Sequence, residues 1–193
     1  MGFLLAVLAP MDAVIAFVLK IGRAIGIVAI AVMVVAILIQ VVARYVFNNA
    51  LPWPDEAARF CMLWMTGLMA PTAFRRGGFV ALDMISGLMS ERVGAVLSLI
   101  LLLISVLILF VAVQIGWSEV TGFGGRFATA SLYIPTFDGW FRIPRSWMML
   151  SLLVGVVLLL VVNIELILRS IVQMLGGGDR LPVIDGADMA GAE

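Results

Sequence analysis

Asp55 and Glu56 stand side by side in the stretch RYVFNNALPWPDEAARF, with Arg59 three residues beyond Glu56 and Arg44 at its start. Two carboxylates between two guanidiniums could relay a proton, hold a cation or clasp neighbouring helices together. The surroundings decide among these. Of 193 residues, 64% are hydrophobic and 12% charged, and the mean hydropathy is +1.20. That composition belongs to a bilayer.

Missing residue types narrow the chemistry. Histidine is absent and the single cysteine is Cys61, so an intramolecular disulfide is excluded. The usual ligands of a haem-bearing anchor or a membrane zinc hydrolase, and the histidine partner of a serine nucleophile, are missing as well. Twelve basic residues balance twelve acidic ones without a long basic run, which leaves no footprint for nucleic acid.

Four apolar windows, at 24–46, 55–74, 93–117 and 146–168, are each long enough to cross the hydrocarbon layer as a helix. The expected fold is an all-α integral membrane protein with four transmembrane helices and short amphipathic surface segments. It would form one membrane domain over 1–175, followed by a flexible Gly-rich tail over 176–193. The apolar N-terminus has no preceding basic residue and no clear cleavage motif, so it reads as retained. Residues 11–22 are expected to lie along the membrane surface with Asp12 and Lys20 exposed.

Orientation follows from the basic residues near the span ends. Lys20, Arg23, Arg75, Arg76, Arg92, Arg169 and Arg180 fall on one side, and Arg44, Arg59, Arg126, Arg142 and Arg145 on the other. The richer side carries both termini, which places them in the cytoplasm.

These spans give the opening charges a structural reading. Pro54 and Pro144 each mark a helix start. Asp55 and Glu56 then occupy a first turn, complementing the helix dipole, and Arg44, ending the preceding helix, is expected to reach one of them as an ionic clasp. Ala29, Met33, Ala36, Gln40 and Arg44 recur at steps of three and four, a helix contact face on which Gln40 would hydrogen-bond between helices. Pro71 removes the donor for the Gly67 carbonyl and predicts a bend. Asn163, Glu165 and Arg169 close the last window and are expected to snorkel to the interface, while Arg75 and Arg76 read as anchors to anionic phospholipid. Segment 118–145 is too apolar for a free linker and too broken by Gly and Pro for a span. It is expected to lie on the membrane or another subunit. Trp53, Trp117, Trp140 and Trp147, near the same ends of the spans, read first as an interfacial belt; the alternative is that Trp117, Phe123, Phe127, Tyr133, Phe137 and Trp140 form a partner surface.

The ordered pieces QVVARYVFNNALPWPDEAARF, RRGGFVALDMI and IPRSWMMLSLLVGVVLLL, spread over about residues 20 to 170, resemble the small membrane subunit of TRAP transporters, the tripartite ATP-independent periplasmic class. The family pattern often places Ser or Thr and then Glu after the Trp. Here Pro54, Asp55 and Glu56 follow Trp53, so the acidic role passes to Glu56 first and Asp55 second. Arg44 and Arg59 match the flanking basic positions, and Asp83 the acidic position after the second span. The resemblance implies a non-enzymatic inner-membrane subunit without its own cofactor. Its partners would be a large membrane subunit that moves substrate and sodium and a periplasmic substrate-binding protein, with small organic acids as cargo. The alternative is a stand-alone proton-coupled exporter working through Glu165. A quinone-linked redox anchor is disfavoured by the missing histidines.

Overall fold

The computed structural model describes residues 2–77, 91–122, 127–136 and 139–175. Asp83, Phe123, Phe137 and the tail 176–193 lie outside the described residues, as does the side chain of Trp140. The elements run α1 (Gly2–Tyr45), α2 (Trp53–Gly77), α3 (Glu91–Thr121), β1 (Ala128–Thr136), β2 (Gly139–Pro144) and α4 (Ser146–Met174). Three stretches, Leu8–Tyr45, Val93–Thr121 and Ser146–Met174, are long and apolar enough to cross a membrane. α2 carries Asp55 and Glu56 in its first turn and Arg75 and Arg76 in its last.

α1 is one helix of 44 residues, so the separate surface helix expected over 11–22 does not exist. Gly22, at the junction of that segment with the first span, stays helical and packs closely against Leu68, and the segment's apolar side chains find helical neighbours. At the far end, Asn48 adopts a left-handed φ of 49°, and the Asn49 N–H donates to the Ala43 carbonyl at 3.0 Å. Asparagine tolerates this conformation better than most side chains, which makes it a natural helix stop. α2 starts at Trp53 with Pro54 buried in its first turn. Pro144 instead ends β2, two residues before α4.

The chain divides into two compact units. One comprises Met1–Ile21, Ala70–Ala112 and Val156–Glu193, the other Gly22–Met69 and Val113–Gly155.

In the second unit, helices meet at glycines. A Cβ on Gly155 would stand 2.7 Å from the Gly67 Cα, so α2 and α4 touch backbone to backbone, with Ser151 buried one turn earlier on α4. Such close approach is how helices associate where lipid supplies no hydrophobic force between them. On α1, Ala36 and Ala43 are buried and Ala29, Met33 and Gln40 half-buried, whereas Arg44 is exposed. The contact stripe therefore ends at Ala43.

This unit also holds the hairpin, a small two-stranded addition to an otherwise helical membrane protein. β1 and β2 pair antiparallel, with Tyr133 opposite Arg142, Thr136 opposite Gly139 and a register shift between Ala128 and Tyr133. The Thr129 hydroxyl donates to the Ile143 carbonyl at 2.7 Å, and the Arg145 N–H closes the base on the Phe127 carbonyl at 2.8 Å. Across the strands, the Arg142 guanidinium lies 5.0 Å from the Tyr133 ring centroid and its Nε donates to the Tyr133 hydroxyl at 3.1 Å.

In the first unit, Ile15 and Leu19 of α1 cluster with Val162 of α4, flanked by Met11, Phe74 and Leu166. This apolar patch packs three helices around the feature described next.

Candidate functional site

Four charges meet in the first unit. Glu165 has 0% of its side chain exposed, Arg75 and Arg169 8% each, and Asp12 20%. Arg75, in the last turn of α2, donates from Nε to Glu165 Oε2 at 2.9 Å and from Nη2 to Glu165 Oε1 at 2.7 Å. This is the bidentate fork to which guanidinium and carboxylate are matched. Arg169, one turn beyond Glu165 on α4, donates from Nε to the same Oε1 at 2.9 Å. Both arginines also donate from Nη2 to Asp12 Oδ1 on α1. The four side chains form a closed ring of alternating sign, Asp12, Arg75, Glu165, Arg169.

Each member is placed for a local reason. Glu165 precedes Arg169 by four residues, the favourable order for an ion pair along a helix. Arg75 sits at the negative end of the α2 dipole. Desolvating one such ion costs several kcal/mol, roughly, and the ring offsets this only because each carboxylate faces two cations. Both Glu165 oxygens are taken by guanidiniums of the same chain.

Three expectations are corrected here. Glu165 and Arg169 do not snorkel, because buried opposite charges lie closer than the interface does. Arg75 is not a lipid anchor, because its guanidinium turns inward to two carboxylates. Asp12 is not an exposed surface residue, because it accepts from both arginines; Lys20 is exposed as expected.

The residues first singled out behave differently. Arg44, Trp53, Asp55 and Arg59 are exposed, and Glu56 is half-buried with a contact of its own. Among the described residues, the four ion pairs given by the structure involve neither Arg44 nor Asp55. Gln40 is half-buried, with its Oε1 enclosed and without a hydrogen-bond donor among the described residues. Near it an apolar groove of about 410 Å³ is lined by Leu38, Ile39, Val42, Ala43, Phe47 and Leu51. Among the described residues, no group of three or more acidic or Cys side chains could hold a metal ion.

A signal for the ring was present in the sequence. A charged side chain within an apolar helix must find a partner, and Asp12, Arg75, Glu165 and Arg169 are all charges set in or at the ends of the long helices α1, α2 and α4. Their separations of 63, 90 and 157 residues hid the pairing.

No curated protein matches the chain. A family model does: that of the tripartite ATP-independent periplasmic transporters, DctQ component, matches residues 33–173. That stretch takes in only the last part of α1, from residue 33 on, together with the connector with Arg44 to Arg59, the hairpin, and three of the four ring members. Together with its long apolar helices, the match makes this chain a multi-pass inner-membrane protein that belongs to the DctQ component family of the tripartite ATP-independent periplasmic transporters.

Proposed function

We propose that the chain is the non-catalytic small permease subunit that scaffolds the large membrane subunit of a sodium-driven, binding-protein-dependent transporter for small organic acids. The observation that carries this reading is the ring. The carboxylate best placed to couple ion movement to transport, Glu165, is bound at both oxygens by arginines of the same chain. A transport site needs polar groups that release and rebind cargo near the membrane midplane, whereas these hold one another.

On this reading the sodium sites and the substrate site belong to the large subunit. The chain crosses the membrane four times, α2 included, since its segment from Phe60 to Phe74 carries no charged residue and 25 residues span about 37 Å as a helix. Both termini face the cytoplasm. The exposed Trp117, Phe127 and Tyr133 support a hairpin surface at the periplasmic side that meets a partner, with the substrate-binding protein as the candidate. Arg44, Trp53, Asp55, Glu56, Arg59 and Asp83 are offered to the large subunit or to phospholipid.

Reconstitution tests this. In vesicles carrying a sodium or proton gradient, the purified chain alone should give no uptake of any organic acid. Adding the large subunit and the binding protein should restore it, and solute flux through the chain by itself would overturn the proposal.

A further inference from the structure

We infer that the N-terminal segment of α1 is a strap held down by the charge balance of the ring, with Asp12 as its latch. Two charges of each sign make the four groups neutral. Three of them, Arg75, Glu165 and Arg169, come from α2 and α4 and lie within the stretch matched by the family model, 33–173. By themselves they leave two guanidiniums facing one carboxylate at 8% exposure or less. Asp12, before that stretch, supplies the missing negative charge through one oxygen that both arginines reach.

The same segment contributes Ile15 and Leu19 to the small apolar cluster with Val162. Its other side offers no comparable hold, since Val14, Phe17 and Ile21 are exposed. Leu8, one turn before Asp12, is 0% exposed, so the docked length runs from Leu8 to Leu19 with the latch between. Removing the charge of Asp12 leaves the cluster cationic and its surroundings dry, a state that opening to water relieves. The strap then swings free while α2 and α4 keep their bidentate pair. This inference is independent of the transport reading.

The test uses the subunit coexpressed with its transporter partners, in native membrane vesicles, with Cys61→Ala and a reporter Ile15→Cys; Leu19→Cys serves as a second reporter. A maleimide probe reads exposure of the reporter. In the parent, labelling is slow. Asp12→Asn should label about tenfold faster, the factor that roughly 1.4 kcal/mol produces. Asp12→Asn with Arg169→Gln, neutral again, should return toward the parent rate. Parent-like labelling of Asp12→Asn overturns the inference, and so does equally fast labelling of the single and double variants, because charge balance would then not be what holds the strap. If Asp12→Asn fails to accumulate, recovery of the double variant supports the latch, and failure of both overturns it.

Discussion

Two regions of this chain collect charge, and they do opposite things with it. The stretch from Arg44 to Arg59 places four charged residues within 16 positions of sequence, yet Arg44, Asp55 and Arg59 are exposed. The ring draws one residue from α1, one from α2 and two from α4, and buries all of them more deeply. Density along the sequence marks where charge can stay solvated at a membrane boundary. Isolated charges set into apolar helices mark where a chain must find internal partners. For a membrane subunit the second kind organises the fold, and the first is available to neighbours.

The largest expected effect breaks the ring at its most buried member. Glu165→Leu strands two arginines at low exposure and should cost about 3–5 kcal/mol, seen as loss of folded, monodisperse subunit in detergent. The contrast sharpens if Asp12, Arg75, Glu165 and Arg169 are together replaced by Leu or Met. That variant should be more stable than Glu165→Leu alone, because no charge is left unpaired; a thermal-unfolding series distinguishes the two. Gly155→Ala, which drives a methyl group into the Gly67 backbone, should cost about 1–3 kcal/mol, read from the same melts. On the hairpin, Tyr133→Phe removes the hydroxyl that Arg142 donates to but keeps the ring face, and should cost about 1 kcal/mol or less. Smallest of all, Arg44→Ala and Arg59→Ala should change the stability of the isolated subunit by no more than about 0.5 kcal/mol. Their effect, if they serve a partner, should appear in pull-down of the large subunit.

The legible part of the fold was the part set by local apolar length. Windows near the four helices could be read directly, because about 20 apolar residues suffice to span a bilayer. The true extent of α1 could not, since nothing in 11–22 announces that Ile15 and Leu19 have partners 140 or more residues away in α4. The hairpin was masked by its apolar character. Its signal, two runs of β-formers at Leu132–Ile134 and Trp140–Ile143 with Gly139 between them, reads as a broken loop when membrane spans are being sought. Ala36 is buried and Gln40 half-buried on the face that their spacing marks, because helical periodicity fixes a face without knowledge of the neighbour. The ring was missed because periodicity says nothing about which charge on another helix a buried charge will meet.

The glycine contact and the ring also complement each other. Gly67 and Gly155 let backbones touch without specifying a unique rotation, since small residues fit many arrangements. Bidentate geometry at Glu165 accepts few. Dispersion holds the helices of one unit, and directional charge fixes the helices of the other.

The most direct test of the account is transport by the complete tripartite system reassembled with the subunit in which all four ring residues are apolar. If the ring is architecture, transport per assembled complex equals that of the parent once complex yield is normalised. Loss of transport in a complex that still assembles fully would show that these charges take part in moving ions or cargo, and would contradict it.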